Sequence, residues 1–225
     1  MKKFFVAASL CIIGTVALAQ SDVNLMSNNE IGEKIRALAL QGKDTRKEQV
    51  NLVWVLVMRS VQGDKNAHSV GKPAAERIKE ANDLDYRAKF AFGYFRHKDA
   101  YDTRDPVLRL RRLDEGRRAM LASLPVGNRD GDFLFDSGIV MANLSTDAGL
   151  FKQAADKLTV ARRIFGTGWA DVSKDRRADW YCAMAIALEK CGLEEMARDN
   201  YRAAYDLSPD SVSGRKALQW IRSKG

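Results

Sequence analysis

The chain has 225 residues, of which 37 are Lys or Arg and 29 are Asp or Glu, so its net charge is +8 at neutral pH. This length allows one or two domains and is ample for a hydrophobic core. The positive excess is mild and spread along the chain. It favours anionic surfaces, but it is too diffuse to indicate a nucleic-acid-binding protein.

The first residues have the three parts of a secretory signal peptide. Lys2 and Lys3 form a basic start, residues 4–16 form an apolar stretch, and residues 17–19 form an Ala-x-Ala cleavage site before Gln20. No later apolar run approaches the ~20 residues that a membrane-spanning helix needs. The sequence therefore predicts an exported protein, periplasmic or secreted, with a signal peptide over residues 1–19 and no membrane span.

The cysteines predict neither a lipid anchor nor a disulfide scaffold. Cys11 follows Leu10, which is too bulky for lipoprotein processing. Cys182 and Cys191 lie nine positions apart on one predicted helix. At ~1.5 Å per residue their Cα atoms are roughly 13 Å apart, and a disulfide needs less than about 7 Å. We expect both thiols to be unbridged within one chain.

Residues 20–29 are polar and predict a flexible N-terminus. The helical region of residues 30–124 follows. Its first helix is capped by Asn28 or Asn29 and stopped by Gly42. The apolar positions of this helix are Ile31, Ile35, Leu38 and Leu40.

Asp44 and Gly63 bound the second predicted helix. Its middle, residues 52–58, is apolar and β-prone, so a strand is the alternative. The polar side chains favour the helix because they fall in a narrow sector of a helical wheel at ~100° per residue. The sequence therefore predicts a helix buried on most sides.

Residues 63–72 predict a polar loop, and Pro73 suits the first turn of the next helix. From Tyr86 onward this helix has two apolar faces, which predicts an inner helix between two neighbours. The two faces are Tyr86, Phe90, Gly93 and His97, and Ala88, Ala91, Phe92 and Phe95.

Asp105 and Pro106 open a further helix that runs through Leu121. Its predicted inward positions are Val107, Leu110, Leu113 and Met120. Residues 124–131 form the clearest break in the chain, and we place a soft subdomain boundary there.

Residues 178–211 contain the strongest pattern, two helices that face each other across a turn at Gly192. The same pattern occurs 43 positions earlier, at residues 135–166, with the excess length predicted as a loop insertion at 166–175. Beyond Pro209, residues 212–221 predict an amphipathic helix. The equivalent pairs are Met141 and Met184, Ala142 and Ala185, Gly149 and Gly192, Ala154 and Ala197, Leu158 and Tyr201, and Ala161 and Ala204.

This hairpin resembles the tetratricopeptide repeat (TPR), a 34-residue helix–turn–helix unit. Its small, turn, aromatic and proline positions are matched by Ala185, Gly192, Ala197, Tyr201, Ala204 and Pro209. The resemblance implies an all-α fold of stacked antiparallel helical hairpins, a TPR-like superhelix. It places two repeats and a C-terminal capping helix in residues 132–225, after a degenerate repeat-like region.

In this family the first helix of each repeat lines a concave groove that binds a partner segment. The groove positions that the resemblance implies are Asp136, Ile139, Asn143, Asp147, Asp179, Cys182, Ile186, Glu189 and Lys190. Ile139 and Cys182 stand where members that clamp a carboxylate have lysine, so that clamp is not implied. A second candidate surface is a basic patch of Arg109, Arg111, Arg112 and Arg118, for which a solvated helix face is the alternative.

Other chemistry has little support in the sequence. Neither His68 nor His97 has a His or Cys at metal-ligand spacing, and no nucleophile motif occurs. Asn128, Asp130 and Asp132 are spaced as in a calcium loop, but Ser137 stands where the bidentate Glu belongs, so we interpret Asp132 as a helix N-cap. We predict no metal, no cofactor and no catalytic residue.

The predicted function is a non-catalytic interaction module of a bacterial cell envelope that binds a protein or peptide segment in the groove. One alternative is an accessory subunit of an envelope transport or assembly system, with a pocket for a solute or partner. Another is a helical glycan-cleaving enzyme, which would need paired carboxylates at a cleft. Peripheral association with the envelope and the oligomeric state both stay open.

Export can be tested on the mature N-terminus. We expect mass spectrometry of the protein recovered from the periplasm or medium to find a chain that begins at Gln20. A lipid-modified chain that begins at Cys11 would contradict this prediction.

Overall fold

A computed structural model describes residues 23, 25–81, 85–144 and 148–224. These residues form ten α-helices and no β-strand, so the predicted all-α class is confirmed. The predicted signal peptide, Cys11 and Asp147 lie outside the described residues, as does most of residues 20–24. No helix of the described ranges is long and apolar enough to cross a membrane.

The chain divides into two compact units, Met1–Asp83 and Leu84–Gly225. The division falls well before the break at residues 124–131 where the sequence suggested a boundary. That break lies inside the second unit. Tyr86 and Arg87, which precede it, both bind Asp130 within it, and the Tyr86 ring contacts that of Phe133 beyond it.

The described residues of the first unit form three helices that pack on one another, α1 (Asn28–Gln41), α2 (Arg46–Val61) and α3 (Lys65–Ala81). Ser27 caps α1 in a capping box with Glu30, so the predicted caps Asn28 and Asn29 are wrong. Gly42 follows α1 with a φ of +100°, as expected for a glycine that ends a helix.

Helix α2 is helical through its apolar run, as the wheel predicted. The predicted cap Asp44 is wrong, since it lies in a short 3-10 helix, Lys43–Thr45, and α2 starts after Thr45. The Thr45 hydroxyl donates to the Leu38 carbonyl instead of capping α2. The buried side chains of the run are Leu52, Val53, Trp54, Leu56 and Val57.

The predicted loop at residues 63–72 is wrong, because α3 begins at Lys65 and contains Pro73. Asp64 explains the early start: its carboxylate accepts hydrogen bonds from the Ala67 amide and the Asn28 side chain. A proline within a helix removes one backbone donor and usually costs ~3 kcal/mol, so the buried face of α3 must offset it. That face contains Ala67, Ala74, Ala75 and Ile78.

In the second unit, seven helices occur within residues 85–144 and 148–224. They are α4 (Tyr86–Asp99), α5 (Pro106–Ser123), α6 (Gly131–Ala142), α7 (Ala148–Phe165), α8 (Lys174–Lys190), α9 (Glu194–Leu207) and α10 (Val212–Lys224). Three pairs pack most closely, α4 on α5, α6 on α7 and α8 on α9. Helix α8 also contacts α6 and α7, and α10 contacts α8 and α9.

Helix α4 begins at its own cap, Asp85, whose carboxylate accepts from the Ala88 amide. The prediction of one helix from Pro73 past Tyr86 is therefore wrong. Burial on two sides is confirmed. The buried positions include Phe90, Gly93 and His97 on one face and Ala88, Ala91 and Phe95 on the other.

Asp105 caps α5 and Pro106 begins it, as predicted. The predicted inward face is right for Met120, which is fully buried, but wrong for Val107 and Leu110, whose side chains are 77% and 67% exposed. Gly116 explains the difference. A Cβ at this position would lie 2.6 Å from the Gly93 carbonyl oxygen, so the two backbones touch and the Gly116 side of α5 faces α4.

The two predicted repeats form helices with the expected buried positions. Ala154, Ala161, Ala197 and Ala204 are fully buried at the helix contacts. Gly149 does not match Gly192, however: Gly192 has a φ of +80° in a turn, whereas Gly149 lies within α7.

The caps and the insertion also differ from expectation. Asp130, not Asp132, caps α6 and accepts from the Phe133 amide. The predicted loop insertion contains a 3-10 helix, Gly166–Asp171, whose Trp169 ring lies 5.6 Å from that of Trp180. The insertion is therefore packed against α8 through aromatic contacts.

The Gly93–Gly116 contact gives a stability prediction. We expect Gly93→Ala and Gly116→Ala each to lower the free energy of unfolding by about 1–3 kcal/mol, because the added methyl group forces two backbones apart. Urea unfolding measures the change.

Gly168→Ala is the matched control, since a Cβ there would meet nothing within 4 Å. Its effect should stay within about 0.5 kcal/mol. Equal effects of all three changes would contradict the close contact.

Candidate functional site

Side chains of α6, α8 and α10 are joined on one surface of the second unit, here called the polar face. It is defined by Asp132, Asp136, Asn143, Arg176, Asp179, Ser213 and Lys216. It includes Asp136, Asn143 and Asp179 of the predicted groove. Each pair of these helices is linked by at least one direct polar contact.

Arg176 links α8 to α6. Its Nη2 lies 2.8 Å from Asp132 Oδ1 and 3.3 Å from Asp136 Oδ1. The guanidinium also lies 4.7 Å from the centre of the Phe135 ring, a cation–π distance. One arginine therefore contacts two carboxylates of α6.

Ser213 links α10 to α8, since its hydroxyl lies 2.5 Å from Asp179 Oδ1 and donates to it. Burial and the nearby carboxylate of Asp175 raise the pKa of Asp179 above its ordinary value, although the Ser213 hydrogen bond opposes the shift. A carboxylate in this position is costly to ionise.

Lys216 links α10 to the end of α6. Its Nζ donates to Asn143 Oδ1 over 2.9 Å, while Asn143 Nδ2 donates to the Ile139 carbonyl. Both the oxygen and the nitrogen of the Asn143 side-chain amide are therefore hydrogen-bonded. Lys216 is exposed.

Several predicted groove positions are packed rather than open. Ile139, Cys182 and Ile186 are buried, with 8%, 3% and 9% of their surface exposed. Burial raises the pKa of the Cys182 thiol to about 11, so it is protonated at neutral pH and a poor nucleophile. Cys182 and Cys191 are both free thiols, and only Cys191 is exposed.

Glu189 belongs to a contact between helices. Its carboxylate accepts from the Tyr201 hydroxyl over 3.1 Å, and the Tyr201 ring stacks on Trp220 with a centroid distance of 4.4 Å. Burial and the negative charge of Glu189 raise the pKa of Tyr201. Of the α8 groove positions, Lys190 is the most open to solvent.

The predicted basic patch is divided between two sides of α5. Arg112 pairs with Asp99 at 3.0 Å and donates to the Thr103 hydroxyl, and Arg109 donates to the Thr103 carbonyl. These two arginines hold the connection between α4 and α5. Arg111 and Arg118 are exposed on the opposite side, at 63% and 71% of their side-chain surface.

Asp130, which the sequence spacing placed in a possible calcium loop, has a structural role. Its carboxylate accepts from Tyr86, Arg87 and the Phe133 amide. Burial alone would raise the pKa of Asp130, but these hydrogen bonds outweigh it and hold the pKa below its usual range. No cluster of metal-ligand side chains occurs in the described parts of the chain.

Sequence reasoning missed Arg176, Ser213 and Lys216. The groove positions came from the resemblance to the TPR family, which assigns them to the first helix of each repeat. It assigns none to the capping helix, α10. The available signal was the spacing of Ser213 and Lys216, which places both on one side of α10.

No family model matches this chain, and neither curated proteins nor solved structures gave a match.

The environments of Asp179 and Asp130 predict opposite pH dependences. The raised pKa of Asp179 gives a contribution to stability that is present below its unfolded pKa and is lost as the pH rises through the folded pKa. The lowered pKa of Asp130 gives a contribution that is present above its unfolded pKa and is lost as the pH falls through the folded pKa.

We therefore expect the difference in unfolding free energy between wild type and Asp179→Asn to fall as the pH rises from about 3 to 7. The corresponding difference between wild type and Asp130→Asn should rise over the same range. Urea unfolding at several pH values measures both. The same sign for both variants would contradict the assigned environments.

Proposed function

We propose that this protein is a non-catalytic interaction module of a bacterial cell envelope, which binds a segment of another protein on the polar face. The observation that carries the proposal is the set of contacts from Arg176, Ser213 and Lys216, which join one face of α6, α8 and α10. Such a continuous surface made of several helices suits an extended or helical segment.

The proposed architecture is a TPR-like superhelix with α10 as its capping helix. In its favour are the closely packed pairs α6–α7 and α8–α9, the buried alanines at their contacts, and the packing of α10 on both α8 and α9. Solenoids of helical hairpins usually bind peptides along the surface that their first helices form.

We propose a partner segment that carries Lys or Arg. Arg176 is shared between Asp132 and Asp136, and the exposed carboxylate of Asp132 can accept a further cation. Asp132 is the more accessible of the two, with 56% of its side chain exposed. Exposed charges of this kind act mainly on association rate and salt dependence.

Export to the periplasm or medium is part of the proposal. Its support is the order of basic, apolar and Ala-x-Ala segments in residues 1–19. The partner is then to be sought in envelope extracts.

The test is capture of a partner from envelope extracts, followed by measurement of its affinity for variants. Asp132→Asn with Asp136→Asn should weaken binding by about tenfold or more, because the two carboxylates that would attract the cationic segment are neutralised. Asp156→Asn with Asp171→Asn is the matched control, which removes two exposed acids elsewhere on the second unit and should bind normally.

A third variant distinguishes the two candidate surfaces. If the Asp132 and Asp136 double variant binds normally while Arg111→Gln with Arg118→Gln abolishes binding, the polar face is not the site. The exposed side of α5 would take its place.

A further inference from the structure

Helix α10 carries the largest net charge of the described helices. It is also the only one of them without an acidic residue. Its 13 residues therefore contribute half of the chain's net charge of +8. The four cations, all of them exposed, are Arg215, Lys216, Arg222 and Lys224.

Most of this charge lies on the outer side of the helix. Gly214 and Ala217 are buried, and α10 packs on α8 and α9. A helical wheel at ~100° per residue places the exposed positions opposite these two residues, within a sector of about 120°. We call this sector the basic side of α10. It consists of Val212, Arg215, Lys216, Gln219 and Arg222.

No acidic group of the described residues neutralises the basic side. Arg215 donates to the Asp210 carbonyl, and Lys216 donates to the Asn143 side-chain oxygen. Both acceptors are neutral, so the two positive charges are not offset by these contacts. No ion pair joins Arg215, Lys216 or Arg222 to another residue that the structure describes.

The exposed arginines of α5 differ in this respect. Arg111 pairs with Glu115 at 3.7 Å, and Arg118 pairs with Asp114, both within the same helix. A strong surface potential needs charges of one sign close together. The basic side of α10 meets this condition, and the exposed side of α5 does not.

The shape of the basic side favours a flat partner. Extended or helical segments are usually held in a groove or along a sheet edge, whereas one outer helix presents a convex surface. Arg215 and Arg222 lie seven positions apart, about 10 Å along the helix axis, so a plane laid along α10 meets both. A bilayer surface with anionic lipid is such a plane.

The opposite side of α10 limits how the helix can bind. It packs on α8 and α9, and the Trp220 ring stacks on that of Tyr201 with a centroid distance of 4.4 Å. An amphipathic helix enters a bilayer with its apolar side, which is already used here. Binding through the basic side is therefore electrostatic, reversible and sensitive to salt.

We propose that the basic side of α10 binds the surface of a bilayer that contains anionic lipid. Each Lys or Arg near such a surface strengthens binding roughly fivefold. The contact goes beyond the proposed function and does not depend on it. Lys216 belongs to both surfaces, but Arg215 and Arg222 belong to the basic side alone.

Cosedimentation with vesicles tests the proposal on protein purified in the form that the cell accumulates. At low salt, wild type should bind vesicles of phosphatidylcholine and phosphatidylglycerol in equal amounts, but not vesicles of phosphatidylcholine alone. Arg215→Gln with Arg222→Gln should lower the partition coefficient at least about tenfold, because two cations near the surface are lost. Added salt should lower wild-type binding as well.

Matched variants separate the site from a general loss of charge. Arg215→Lys with Arg222→Lys should bind as wild type does, because a bilayer surface attracts either cation, whereas a bidentate carboxylate site requires arginine. Arg111→Gln with Arg118→Gln removes the same charge from α5 and should bind nearly as wild type does.

Two further variants guard against misinterpretation. Arg222→Gln alone leaves the contact of Arg215 intact and should lower the partition coefficient about fivefold. The polar-face variant with Asp132→Asn and Asp136→Asn should bind vesicles at least as well as wild type, which keeps this test distinct from that of the proposed function. Thermal melts confirm that every variant folds.

Three outcomes would overturn the proposal. Wild type could bind both kinds of vesicle equally or neither, or the loss of Arg215 and Arg222 could leave vesicle binding unchanged. In the third, wild type would bind a soluble poly-glutamate peptide but not the anionic vesicles, and the basic side would be a surface for an acidic protein segment.

Discussion

The backbone contact between Gly93 and Gly116 determines which side of α5 faces the protein. Neither glycine has room for a Cβ, since the opposite carbonyl oxygen would lie 2.6–2.7 Å away. The contact turns the Gly116, Met120 and Ser123 side of α5 toward α4, and it turns Val107 and Leu110 toward solvent. Two residues without side chains therefore determine which of two similar faces of α5 is buried.

Small residues also set the packing of the paired helices. Fully buried alanines at positions 154 and 161 of α7 and at positions 197 and 204 of α9 allow close packing on neighbouring helices. A larger residue at one of these positions would force its helix away from its neighbours. On the polar face, α10 packs on α8 closely enough for the short side chain of Ser213 to reach Asp179.

Much of the fold could be predicted from the sequence, because helical periodicity is a local property. The all-α class, the helix over residues 52–58 and the stop at Gly42 all follow from spacing and backbone preference. The missed caps Ser27, Asp64 and Asp85 each accept from an amide three positions later, so the sequence contained a local signal for them. The exposed side of α5 could not be predicted in this way, because its decisive contact, between Gly116 and Gly93, joins residues that are distant along the chain.

The candidate site was predictable only in part, for the same reason. Family resemblance indicated Asp136, Asn143 and Asp179, but the side chains that bind them come from the starts of α8 and α10. Arg176 is 44 positions from Asp132, and Lys216 is 73 positions from Asn143. Residues with opposite charge at such separations are common, so sequence alone gave no reason to pair these.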